Sequence, residues 1–336
     1  MKMKPFNLSE AGGIVAALIV LAVPQARAEV EDKITKSFAV SPGGQLVVAV
    51  DRGAIEIKTA DADAVNLEVT RKAGGSRSKA EKTLKDHVVT TTQDGNKVEV
   101  RAEYKGEKSF GLFGGSPELH VNYLLTVPRK FDVDLKTSGG HIKVVELTGK
   151  VDARTSGGHL ELRKLEGPVS GHTSGGHITL TGCKGKVDLV SSGGHLELRE
   201  IEGDITAKTS GGSIRAGQLT GKALLKTSGG HIEIAGLGGS VEARTSGGHI
   251  TAELLGQPAN DCSFDTSGGN ITLTLAGTVA VDVDARTSGG RVSSDLPVVS
   301  VVQGEPKKHE LRGKIHGGGP LITARTSGGN VRLEKK

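Results

Sequence analysis

Apolar and polar residues alternate in short bursts along most of the chain. Leu160 and Leu162 interleave with Glu161 and Arg163, and Val151 and Ala153 with Asp152 and Arg154. A period of two predicts short strands with one buried face. The bursts themselves recur. Ile142, Leu160, Ile178, Leu196, Ile214, Ile232 and Ile250 stand eighteen residues apart, and Ile271 follows after three more. Val133, Val151, Val169, Val187, Ile205 and Val241 keep the same beat. Between the two series lies Thr-Ser-Gly-Gly or Ser-Ser-Gly-Gly. It opens at Thr137, Thr155, Thr173, Ser191, Thr209, Thr227 and Thr245, then at Thr266, Thr287 and Thr326.

A fixed period near twenty residues is the mark of a solenoid, each copy one coil stacked on its neighbours. The expected fold is all-β: a parallel β-solenoid of about 18-residue, two-stranded coils, right-handed, with a β-rich N-terminal cap. Stacking at ~4.8 Å turns equivalent residues into columns. Ala153, Ala207, Ala243, Ala285 and Ala324 are expected to form a column of small residues. The paired glycines suit a corner of positive φ where a Cβ would strike the next coil. The Thr and Ser columns suit hydrogen bonds along the stack. Two rival coils fail on spacing. Hexapeptide coils need an aliphatic residue every six positions, and calcium rolls need an aspartate soon after Gly-Gly, which is missing here.

The chain divides into residues 1–28, 29–128 and 129–336. Lys2 and Lys4, the apolar run Ile14 to Val23, and Ala26-Arg27-Ala28 predict a secretory signal peptide with mature protein from Glu29. The run is short for a membrane span, and no second one follows. Residues 29–128 are less regular, with alternating runs at Gln45–Val50, Val65–Val69, Lys97–Ala102 and Val121–Val127. One short amphipathic helix is expected over Ser78–Lys85, and a mobile loop from Gly106 to Pro117. Asp51-Arg52-Gly53-Ala54-Ile55 reads as a degenerate first repeat, and Gly317-Gly318-Gly319-Pro320 closes an insertion before the last copy.

Of 43 basic and 38 acidic side chains the leader holds Lys2, Lys4, Arg27 and Glu10, leaving an excess of three positive charges. That balance selects no acidic partner. Aromatics are 2% of the chain with no Trp, so a stacking platform for nucleic acid is not expected. Cys183 and Cys262 fall on inward positions about four coils apart. That is far beyond disulfide reach, so both should be buried free thiols.

Val121-Asn122-Tyr123-Leu124-Leu125-Thr126-Val127-Pro128, running into Thr-Ser-Gly-Gly-His-Ile repeats, resembles the bacterial putative-adhesin family of β-strand-repeat proteins. The resemblance covers nearly all of the mature chain and implies a β-solenoid with no established catalytic residues.

His141, His159, His177, His195, His231 and His249 share one outward column, continued by Ser213, Asn270, Arg291 and Asn330. Two readings compete. The column is a solvated face, or neighbouring imidazoles hold zinc or copper with Glu161, Glu197 or Glu233 as a further ligand. No resident cofactor is otherwise expected. Catalysis needs one singular constellation, whereas every polar motif here is repeated. The expected function is therefore a non-catalytic, adhesin-like binding or structural surface of the periplasm or cell surface, whose envelope partner the sequence does not name. The alternatives are a divalent-metal-binding envelope protein and, less in keeping with the few loops, a polysaccharide-active β-helix enzyme.

Overall fold

The structure is a computed structural model that describes residues 29–106, 118–300 and 308–336. The expected signal peptide lies outside the described residues, as does the expected loop from residue 107 onward. Two long sheets of fourteen and fifteen strands face each other, and successive coils contribute one strand to each. In the repeat region both sheets are parallel: Val151–Thr155 pairs in register with Val169–Thr173, and Leu160–Glu166 with Ile178–Lys184. Inward residues of both sheets form one continuous core. Ile142, Leu160, Ile178, Leu196, Ile214, Ile232, Ile250 and Ile271 are all buried on consecutive levels.

The alanine column differs from expectation. In register, Leu135 is followed by Ala153, Gly171, Leu189, Ala207, Leu225, Ala243 and Phe264. Large and small residues share the column because levels this close compete for the same volume. A Cβ on Gly171 would already meet Leu189 Cδ2 at 2.7 Å.

In six successive coils, from strand Ile142–Thr148 to strand Ile232–Leu237, the longer strand carries a bulge. Arg163 pairs with Thr181 and Leu165 with Cys183, so Lys164 is skipped. The skipped positions Glu146, Lys164, Glu200 and Gln218 are left-handed, with φ between 52° and 60°, and Gly182 and Gly236 occupy the same place. The bulge turns Leu147, Leu165, Cys183, Ile201 and Leu219 back into the core. Cys183 and Cys262 are buried and free, as their register requires. Burial pushes the Cys183 thiol up to about 11.

The ends depart from chain order. Strand Gly44–Val50 and strand Ala54–Ala60 form a coil directly beneath the one at Phe131–Thr137 and Ile142–Thr148. Ile55 pairs with Ile142, so the degenerate repeat at Asp51–Ile55 is a true level of the stack. The strands Lys97–Tyr104 and Leu119–Pro128, later in sequence, lie one level further out. Antiparallel strands His87–Asp94, Ala64–Ala73 and Val30–Ala39 finish that end. The helix Arg77–Asp86 packs beside them, its first turn capped by the Ser76 side chain accepting from the Lys79 N–H. At the other end the last copy in sequence, Leu321–Thr326 and Val331–Lys335, is inserted between the levels of Cys262–Thr266 and Val281–Thr287. Strand Glu310–Ile315 then covers Val281–Thr287 in antiparallel fashion.

Candidate functional site

The repeated motif is a corner, and its backbone accounts close almost completely within the stack. Thr155 Oγ1 donates to the Gly140 carbonyl at 2.9 Å and accepts the Gly158 N–H at 3.2 Å. Thr173 repeats this on Gly158 and Gly176, and Ser191 on Gly176 and Gly194. These hydroxyls are buried. The N–H groups of Ser174 and Gly175 both donate to the Ser156 carbonyl. Buried backbone groups must find partners, and the buried hydroxyl supplies the two that the corner breaks.

Only the second glycine of each pair is sterically required. A Cβ on Gly158, Gly176 or Gly194 would lie well under 3.0 Å from the carbonyl oxygen of the equivalent glycine one level away. The first glycine has room: a Cβ on Gly193 meets nothing closer than 3.6 Å. Neither glycine of the pair has positive φ, so the expected left-handed corner is not here. Left-handed glycine sits at the opposite corner instead, at Gly149, Gly167, Gly185 and Gly203. There the chain must reverse without a hydroxyl to help it.

The histidine column is part of the same hydrogen-bond system. The N–H of His159 donates to His141 Nδ1 at 2.9 Å, and the N–H groups of His177, His195 and Ser213 donate to Nδ1 of the preceding histidine at 2.8 Å. The substitutes do the same work. Ser213 Oγ accepts the His231 N–H, His231 Nδ1 that of His249, His249 Nδ1 that of Asn270, and Asn270 Oδ1 that of Asn330. Asn330 Oδ1 accepts from Arg291, which ends the column. What the position requires is a side-chain acceptor for the next level's N–H. A histidine acting so is neutral at Nδ1 and carries its proton on Nε2.

The six histidines predicted as ligands are brought into rows but not onto a common point. His141, His159, His177 and His195 stack with ring centroids 4.9 to 5.0 Å apart, and His231 stacks on His249 at 5.0 Å. Parallel rings hold equivalent nitrogens at about that separation. Two nitrogens on one zinc at ~2.1 Å are at most ~4.2 Å apart. Among the described residues no group of three or more His, Cys, Asp or Glu side chains is placed to hold an ion. Slight burial and the flanking His141 and His177 hold the His159 imidazole below the usual histidine range.

A second feature lies beside the motif. The residue just before Thr-Ser-Gly-Gly is Lys or Arg at Lys136, Arg154, Lys208, Lys226, Arg244, Arg286 and Arg325. Where the sheet meets the corner, Lys208, Lys226, Arg244, Arg286 and Arg325 of this row and the exposed serines bound an open groove of about 1250 Å³. It runs over the levels of Lys208, Lys226, Arg244, Asp265, Arg325 and Arg286 to Lys308, His309 and Glu310. At ~4.8 Å per level that is roughly 30 Å. The insertion of the last copy is what places Arg325 between Asp265 and Arg286. Glu242 pairs with Lys226 at 3.4 Å and Arg244 at 3.2 Å, and Asp284 with Arg286 at 2.8 Å and Arg325 at 3.6 Å, whereas Lys208 and Lys308 make no ion pair among the described residues. The net charge concealed this row. The recurring Lys-Thr-Ser and Arg-Thr-Ser were the signal that could have revealed it.

The family described as Toastrack DUF4097 matches residues 44–334. No curated protein matches the chain. Solved structures it resembles include a putative adhesin from Bacteroides fragilis NCTC 9343, at 12% identity over 91% of this chain and 97% of that one, with TM-score 0.32. Another is a putative lipid binding protein from Parabacteroides distasonis ATCC 8503, at 12% identity over 90% and 96%, with TM-score 0.41. Likenesses this distant say nothing about a ligand.

Proposed function

The chain belongs to the Toastrack DUF4097 family, and on that footing we propose that it is an exported, non-catalytic β-solenoid that holds a component of the cell envelope along its basic groove. The groove carries this reading. The motif's other polar groups serve the corner: the threonine hydroxyls bridge levels and the imidazoles accept backbone N–H groups through Nδ1. The groove's serines and four of its cations are exposed, Lys226 and Arg286 are half-buried, and together they follow one another over seven levels. The leader pattern of residues 1–28 supports export.

The test uses the buried thiols as a silent background. Ser246→Cys puts an accessible thiol on the groove wall, while Cys183 and Cys262 stay shielded. In cells with an intact inner membrane, a membrane-impermeant maleimide should label the variant but not the wild type. Envelope-extracted protein should begin at Glu29. Coupling a bulky polyethylene glycol to that thiol should abolish cosedimentation of the purified protein with isolated envelopes. Cytosolic protein retaining Met1, or cosedimentation indifferent to the block, would overturn the proposal.

A further inference from the structure

Resting on that reading of the groove, we infer that its occupant is an extended acidic polysaccharide lying along the solenoid axis. Four observations select this chemistry. Six cations, Lys208, Lys226, Arg244, Arg325, Arg286 and Lys308, line the groove. Against them among the described residues stand Asp265 and Glu310 on the lining and Glu242 and Asp284 paired beside it, which leaves an excess of positive charge with Lys208 and Lys308 outside any ion pair. The cations stand on six of the seven levels, with Asp265 at the remaining one, so the positive field is drawn out along a line rather than gathered in a spot, and it fits a polymer with anionic groups along its length. A compact anion would need convergent donors, which the ladder spacing denies it.

Beside the cations runs the exposed row Ser228, Ser246, Ser267, Ser327 and Ser288. Each hydroxyl both donates and accepts, which matches the hydroxyls of a sugar chain.

The rival polyanions each lack a partner group. A single-stranded nucleic acid needs flat rings on which bases stack, and among the described residues the groove offers only His309. An acidic peptide bound as an added strand needs free backbone donors at a sheet edge. Here the corner N–H groups of Ser228, Gly229, Ser246 and Gly247 already donate to serine carbonyls of the neighbouring level. The groove floor is threonine whose hydroxyls are likewise engaged, as Thr227 Oγ1 is on Gly212 O and Thr245 Oγ1 on Gly230 O. Recognition therefore falls to charge and hydroxyls, and an acidic glycan presents both.

The experiment measures binding of mature protein to polygalacturonate, with dextran, poly-glutamate and an oligo-dT strand as comparators. Polygalacturonate should bind at least tenfold tighter than any of them at low salt, weakening steeply as salt rises. The variant Lys208→Gln/Lys226→Gln/Arg325→Gln should lose at least tenfold. A control of equal charge change on other exposed positions, Lys97→Gln/Lys150→Gln/Lys184→Gln, should lose less than threefold. In the wild type, saturating polygalacturonate should protect Lys208, Lys226 and Lys308 from acetylation, a readout that needs no variant to fold. Equal loss in both variants, no protection, or tighter binding of poly-glutamate or oligo-dT would overturn the inference. If envelope cosedimentation still depends on the Ser246 position while polygalacturonate fails, the occupant is wrong and the groove function stands.

Discussion

At the Thr-Ser-Gly-Gly corner the chain turns by handing broken backbone bonds to a buried hydroxyl and to a side-chain acceptor on the neighbouring level. At the opposite corner, Gly149, Gly167, Gly185 and Gly203 turn through left-handed backbone, with φ between 130° and 147°, and the first three donate directly to Glu166 O, Lys184 O and Glu202 O. Both corners exclude a Cβ because the neighbouring level's carbonyl occupies its place. Only the second also needs glycine for its dihedral. One corner is thus specified by side-chain chemistry and the other by backbone conformation. The difference explains why the first advertises itself as a five-residue motif and the second as a lone glycine.

The largest expected effects test the shared part of that contrast. Gly194→Ala and Gly185→Ala should each cost about 4 kcal/mol or more, because a packed backbone carbonyl has nowhere to go. Gly193→Ala, one residue away, should cost about 1 kcal/mol or less. Denaturant titrations of the three variants would erase the distinction between the paired glycines if all lost the same.

Next comes the hydroxyl. Thr173→Val keeps shape but strands the Gly158 carbonyl and the Gly176 N–H, at about 2–4 kcal/mol for the two. Thr173→Ser should be nearly silent, since Ser191 fills the same role. Comparable melting losses for Val and Ser would show that packing, rather than the hydroxyl, holds the corner.

The bulge column offers a gain. Glu200 sits at φ 56° where Gly182 and Gly236 are also accepted. Glu200→Gly relieves a left-handed residue and should stabilise by about 0.5–1 kcal/mol in net effect. A loss would mean that its side chain packs productively.

The smallest effect concerns acid. His159 is held below the usual range by burial and by its two histidine neighbours. A lowered folded-state pKa means that its stabilisation is complete above the unfolded value of about 6.5 and is lost as pH falls through the folded value. Protonation of Nδ1 would also oppose the N–H of His177. The triple variant His159→Asn/His177→Asn/His195→Asn keeps an acceptor, as Asn270 and Asn330 do, and removes the titration. Its melting temperature should fall less than wild type between pH 7 and pH 5. Identical slopes would place the acid sensitivity elsewhere, with the buried His87, lowered to about 4 by burial, the first place to look.

What the sequence by itself determined is the repeating coil. Strand positions, the inner columns, the level at Asp51–Ile55 and the burial of both cysteines follow from an eighteen-residue beat, because each coil bonds mainly to the coils one period away. Tertiary structure alone decided three things. It set large residues beside small in the Ala153 column, since volume is shared between levels rather than within one. It assigned the histidines to backbone acceptance, which shows only when the next level's N–H is in place. And it chose the order of levels at the ends, where Leu321–Thr326 enters ahead of Val281–Thr287. Every coil offers the same ladder edge to its neighbours, so the period cannot say which copy fills a slot. That choice, made by long-range packing and the capping strand Glu310–Ile315, also lines up the cations of the groove.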